Sequence, residues 1–319
     1  RGSGYVRAGA LISVDTIPPT PRRSSRVSGR PERDDVESPP MPNRVQRRYE
    51  TKKQRKSLKR LKLRCICCER FGRAISKEHY FPVWLIEHCN IAPRGINWLG
   101  ERGVNPAKAT IPLCKECNEE LGKKVEAPVS VALPDVEQGR GLSDREAELL
   151  VRWLWKFEGM QWHLNDYTRS GATYSAKWTL REGVVDADAF KIRPILSLGV
   201  GLIDPKDPEF DDWPMGLDSP PAPVNSIFVS GVFGRTALMV SVTDFEHLIP
   251  AEFSKYSFGD EPADRDSKVF FPECRFKSQS DAVGITISAS IPLLVEHEGF
   301  VSDTQNRTVH VVRNEIILP

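Results

Sequence analysis

The chain lacks a membrane-spanning stretch. Its longest apolar-rich run, "PILSLGVGLI" at residues 194–203, is about half the length that a span requires. Residues 1–30 lack the extended apolar segment of a secretory signal. No internal repeat stands out. The first 45 residues have few aromatics and no sustained periodicity, and they are rich in Pro, Ser, Arg and Gly. Such a composition cannot bury enough apolar surface to offset ordering, which predicts a disordered tail over 1–45. Cysteine is scarce outside one region: six of the seven fall between 65 and 117. An odd, clustered set argues against a secreted disulfide framework. It fits metal ligation in a reducing compartment, and so a cytoplasmic protein with no membrane attachment.

Charge is nearly balanced overall but unevenly spread. Of 45 basic and 43 acidic residues, 18 and 6 fall in 1–64, leaving 27 and 37 beyond. A basic arm on a mildly acidic body suits either a polyanion partner or a solvated tail. Residues 46–64 are basic with no Gly or Pro, which predicts a lead-in helix. Its Arg47, Arg48, Lys52, Lys53, Arg55, Lys56, Lys59 and Arg60 would hold a nucleic-acid phosphate backbone without reading its sequence.

Four cysteines form two matched pairs, Cys65-x-x-Cys68 and Cys114-x-x-Cys117. A C-x-x-C turn aims two thiolates at one cation, and two such turns complete the four-sulfur set that zinc prefers. Packed apolar cysteines are the plainer reading of any one of them, but two matched pairs in one segment favour structural zinc. Cys67 is spaced poorly for chelation with either neighbour and reads as a packed free thiol. The 45 residues between the pairs are too many for a plain zinc ribbon, and they contain Glu78-His79. After the second pair, "CNEELGKKVEAP" reads as a helix that starts on the knuckle, with Asn118 near its N-terminus and Glu126 two turns on.

The C-x-x-C at 65–68, "SKEHYFP" at 76–82 and "LCKECN" at 113–118 together resemble the HNH endonuclease family, over about 65 residues. That resemblance implies a ββα-metal, treble-clef finger over 65–128. It implies catalytic roles for three residues: His79 as general base, and Glu78 and Asn118 as ligands of a catalytic Mg²⁺ or Mn²⁺. Apart from the resemblance, Glu126 reads as a supporting group, with a further ligand or a solvated helix residue as the alternatives. Such a nuclease would cut nucleic acid, DNA rather than RNA. One position departs from the pattern. The family commonly has an Asn about five residues before the second pair, and Ala109 stands there, with Asn105 and Asn97 out of register. The residue types suit the chemistry. A neutral imidazole takes a proton from water near pH 7, and hard oxygen donors suit Mg²⁺ or Mn²⁺. Neighbours along a strand point to opposite faces, so Glu78 and His79 can share one ion only at a bulge or turn.

Pro128, "VALPD" and "EQGRG" predict a linker near 128–141. Beyond it, 141–319 is expected to be an α+β domain with a mainly antiparallel sheet. Ser143 and Glu146 form a capping-box signature. Leu149, Leu150, Trp153, Leu154 and Phe157 recur at helical spacing and read as core. "TYSAKWTL", "IRPILSLGVGLI", "SIFVSGVF", "TALMVSVTDF", "VGITISASI" and "TVHVVRNEIIL" read as strands, with a type II′ hairpin turn beginning at Gly234. His88, His163, His247, His297 and His310 read as structural or exposed, and no catalytic constellation stands out in this half. Its expected role is recruitment, sensing or regulation, through a protein partner or a second copy of the chain. By analogy alone, the layout is that of a prokaryotic defence or restriction-like effector. The competing reading is a non-catalytic treble-clef zinc module that binds nucleic acid or protein.

Overall fold

The computed structural model describes residues 12–13, 64–93, 95–98, 101–168, 180–186, 196–204, 215–218, 228–242, 249–259, 264–298, 300–303 and 308–311. The tail over 1–45, apart from Ile12–Ser13, and the basic lead-in with Arg47, Arg48, Lys52, Lys53, Arg55, Lys56, Lys59 and Arg60 lie outside them. So does all of "TYSAKWTL" except its last residue.

The elements begin with strand β1 (Ile12–Ser13) and, after the first cysteine pair, strand β2 (Ile75–His79). Helix α1 (Val83–His88), a small hairpin of β3 (Ile96–Trp98) and β4 (Glu101–Val104), and strand β5 (Thr110–Cys114) follow. Between β4 and β5, Asn105 accepts a hydrogen bond from Ala107 N through its side chain (2.9 Å), fixing the short turn that feeds β5. Helix α2 (Lys115–Leu121) starts directly on β5. It runs through a widened turn (Gly122–Glu126) into helix α3 (Ala127–Glu137). A helix therefore occupies most of the stretch read as a linker. Val129, Ala132, Leu133 and Val136 recur at i, i+3, i+4 and i+7 and are buried. The widened turn lies just before Pro128, whose ring cannot sit in an undistorted helix interior.

After the two-residue β6 (Leu142–Ser143) comes the long helix α4 (Asp144–Thr168). The capping box is formed as expected: Ser143 N donates to the Glu146 carboxylate at 2.9 Å and Glu146 N donates to Ser143 Oγ at 3.3 Å. Leu150, Trp153, Leu154 and Phe157 are buried on this helix, with Leu149 packed at the edge.

A seven-stranded sheet follows in the order β1–β8–β9–β10–β7–β11: β7 is Leu196–Ile203, β8 Met215–Asp218, β9 Phe228–Phe233, β10 Thr236–Val242 and β11 Ser254–Ser257. Its pairings are antiparallel, except that β13 (Arg275–Phe276) joins β7 in parallel. A small separate pair joins β12 (Val269–Phe270) to β6. The β9–β10 hairpin turns at Gly234, whose φ of 58° fits the first position of a type II′ turn. Every residue of β7 is buried because the sheet is covered on both faces. One face carries Leu196, Leu198, Val200 and Leu202 against α4 and the cysteine-bearing region. The other carries Ile203, Ala237 and Met239 against Phe276, Ala282 and Ala289. Gly201 leaves room on that second face: an added Cβ would lie 2.1 Å from the Phe276 ring.

Helix α5 (Gln279–Glu298) replaces the strand expected at "VGITISASI". Its Val, Ile and Thr bias a reading toward strand, but Ser278 Oγ accepts from Asp281 N at 2.9 Å and starts a helix. The chain ends, among the described residues, in the hairpin of β14 (Phe300–Asp303) and β15 (Thr308–Val311). The fold class is α+β with antiparallel sheets. One buried cluster runs from Cys65 through Trp153 to Phe258, so the cysteine-bearing region and the large sheet share a core.

On α4, Glu158 is 2% exposed, and neither carboxyl oxygen has a hydrogen-bond partner among the described residues. Burial holds its pKa well above the ordinary 4.5. A folded-state pKa above the unfolded one means the folded state prefers the protonated form. Stability is then fully present below about pH 4.5 and falls as pH rises, with a slope of up to about 1.4 kcal/mol per pH unit. Glu158→Gln is therefore expected to match wild type near pH 4 and to be increasingly more stable toward pH 8 in urea unfolding. A constant difference across that range would contradict it.

Candidate metal centre and active site

The first cysteine pair sits in a tight turn. Cys65 N donates to Arg70 O (3.1 Å), Glu69 N donates to Cys65 O (2.8 Å), and Glu69 takes a left-handed φ of 59°. Ile66 N donates to Pro112 O (3.1 Å), docking this turn on β5. β2 and β5 pair antiparallel from Ile75↔Cys114 to His79↔Thr110. The register therefore carries Cys114 to the end of β5, and Cys117 follows in the first turn of α2. The four sulfurs of Cys65, Cys68, Cys114 and Cys117 lie within 4.8 Å of one another, with Cys68 and Cys114 at 3.9 Å. That spacing and donor set fit one structural metal ion such as zinc, which takes four thiolates at about 2.3 Å. Cys67 is buried and stands outside the set, as its spacing predicts. As bare thiols Cys65, Cys114 and Cys117 disfavour ionisation. The neighbouring Cys117 thiol, then burial, push Cys65 up to about 12, and burial raises Cys114.

The same hairpin and helix bring Glu78 and Asn118 together. Burial pushes the Glu78 carboxyl above its ordinary range. Lys156, the nearby Asn118 side chain and His79 act in the opposite direction, while Glu126 adds to the rise. His79 closes β2 and is half-buried, as is Glu78; the β2–β5 register runs unbroken through both, so no bulge turns the two side chains toward one shared ion. The next residues anchor that strand end. Tyr80 and Phe81 are fully buried, their rings 5.5 and 5.9 Å from that of Phe157 on α4. Tyr80 N donates to Ala109 O (2.7 Å), so Ala109 serves the hairpin through its backbone.

Glu126 is 8% exposed, and both of its oxygens are taken. Oε1 accepts from the buried ammonium of Lys156. Oε2 accepts from the indoles of Trp84 (3.0 Å) and Trp153 (3.2 Å). Glu126 thus joins α1, the widened turn and α4. Lys156, 1% exposed, was not singled out by sequence reasoning. The available signal was a cation at i+3 from Trp153 inside a buried stripe. Removing one partner of a buried pair costs about 3–5 kcal/mol. Lys156→Met is expected to destabilise the chain by that order in denaturant titration, with Glu126→Gln in the same chain recovering most of it.

His88 is structural, as expected. Its Nε2 lies 3.2 Å from Glu137 Oε1, which also accepts from Arg235 N at 2.6 Å and so ties α1 and α3 to the β9–β10 turn. The side chains of His163, His247, His297 and His310 lie outside the description. Among the described residues, the four cysteines are the group of three or more His, Cys, Asp or Glu side chains gathered closely enough to share a metal. No described helix is long and apolar enough to cross a membrane. In comparisons with known proteins, no family model, no curated protein and no solved structure matches the chain.

Proposed function

We propose that the chain is a metal-dependent nuclease of the HNH kind, built on a treble-clef finger and hydrolysing phosphodiester bonds in nucleic acid, DNA first. The observation that carries this reading is the meeting of Glu78 and Asn118 next to His79, on the hairpin and helix that also carry the four cysteines. Zinc at Cys65, Cys68, Cys114 and Cys117 is the platform and takes no part in the chemistry. Glu78 and Asn118 offer hard oxygen donors for Mg²⁺ or Mn²⁺, with remaining positions left to water and phosphate. When bound, that cation supplies Lewis-acid polarisation of the phosphate and stabilises the departing oxygen. His79 takes a proton from the attacking water as its oxygen bonds to phosphorus and the bond to the sugar oxygen breaks. Tyr80 and Phe81 hold the strand end that carries the imidazole, and Lys156 favours the charged form of Glu78. One such site cuts one strand.

The reading predicts that Glu78→Gln and Asn118→Ala raise the Mn²⁺ concentration for half-maximal plasmid nicking by about 10- to 100-fold at unchanged zinc content. An unchanged Mn²⁺ requirement in both would sink the assignment of these ligands.

A non-catalytic zinc module binding nucleic acid or protein is the second reading. It is favoured by one observation: among the described residues, His, Cys, Asp and Glu side chains gather in metal-binding number only at the four cysteines. It predicts no cation-dependent cleavage at all.

A further inference from the structure

The widened helical turn Arg181–Val185 lies outside the cysteine-bearing segment and buries Val184 and Val185 in the shared core. Its first residue reaches the cysteine cluster. Arg181 N donates to Cys67 O at 2.8 Å, inside the first C-x-x-C turn. Its guanidinium Nη1 donates to Cys117 Sγ at 3.5 Å, Nη2 donates to Glu120 at 2.9 Å, and Nε lies 3.2 Å from Asp186. Glu116 approaches Nη1 at 3.7 Å. One guanidinium, 19% exposed, therefore stands between a cysteine sulfur and three carboxylates.

A divalent ion held by four thiolates leaves the centre with a net charge of about −2. Glu116 and Glu120 extend from the helix that carries Cys117, so the centre forms beside charges of its own sign. A planar fork of five donors spread over three nitrogens reaches a sulfur and a carboxylate in fixed geometry, where an ammonium offers one compact, rotatable head. We propose that Arg181 is the charge-compensating outer partner of the four-cysteine metal centre, and that ion retention and docking of the 180–186 turn are coupled through it. Coupling of this kind is reciprocal: the ion steadies the turn and the turn steadies the ion. The inference rests on the cysteine cluster alone and stands or falls independently of nuclease activity.

The test uses the full chain loaded with zinc and challenged with a chromophoric chelator. Arg181→Gln is expected to weaken zinc retention by about 10- to 100-fold, with Arg181→Lys falling between it and wild type. Cys117→His removes the sulfur that the guanidinium touches. In that background Arg181→Gln should add no more than about twofold, because the coupled partner is already gone. Retention equal to wild type in Arg181→Gln, or an undiminished effect in the Cys117→His background, would overturn the proposal by showing an effect of packing alone. If Arg181→Gln does not fold, Arg181→Lys runs through the same cycle and is judged by the same two outcomes.

Discussion

Cys68→Ser in the full chain is expected to abolish stoichiometric zinc and to unfold the cysteine-bearing region at 37 °C. A structural four-sulfur zinc site contributes about 10–16 kcal/mol in isolated finger peptides, a quantity as large as the net stability of an ordinary domain. The cysteine cluster here is not isolated. Cys65, Cys114 and Cys117 belong to the same buried cluster as Trp153, Phe233 and Tyr256, so the loss should spread into α4 and the sheet. Cys67→Ser is the internal control: its sulfur lies outside the set of four and zinc should stay near one per chain. Elemental analysis and circular dichroism of the two variants check this. The pH dependence has a definite sign. The bare Cys65 and Cys114 thiols are raised, Cys65 to about 12, so protons compete with the ion and zinc must be lost as pH falls, not as it rises.

The second large effect concerns His79. General-base catalysis by a positioned imidazole contributes about 10²–10⁴-fold, and His79→Ala is expected to reduce strand cleavage by that amount. The fold should survive. His79 is half-buried, and the strand end is held by Glu78↔Ile111 pairing on one side and by buried Tyr80 on the other. Nucleic-acid affinity should also survive, because a single imidazole contributes little to an attraction summed over many phosphate contacts. Loss of rate without loss of zinc, fold or binding separates chemistry from scaffolding.

Much of this was legible where the signal is local. The C-x-x-C spacings named the four converging sulfurs and set Cys67 aside. Ser143 and Glu146 announced the start of α4, and Gly234 announced the β9–β10 turn, because caps and tight turns are decided by a few adjacent residues. The strands with β-branched alternation became β7, β9 and β10. What failed was set by tertiary context. Pro128 and Pro134 suggested a linker, but the apolar stripe of Val129, Leu133 and Val136 gains more by packing than the prolines cost. Residues 283–291 are β-branched and yet helical, because Ala282 and Ala289 let a helix lie against the sheet. Lys156 and Arg181 reach partners 30 and 64 residues away, Glu126 and Cys117, and no window of sequence contains both ends of either contact. The packing of α4 against both the cysteine-bearing region and the sheet, in one buried cluster, likewise joins residues far apart in the chain.

The most direct measurement is nicking of supercoiled plasmid by wild type and His79→Ala, each prepared with one zinc per chain, in Mn²⁺ and in EDTA sufficient to bind added cation. The account predicts that wild type nicks with Mn²⁺, stops in EDTA, and that His79→Ala is slower by about 10²-fold or more. Nicking by His79→Ala at the wild-type rate, or no nicking by wild type under any divalent cation, would contradict it.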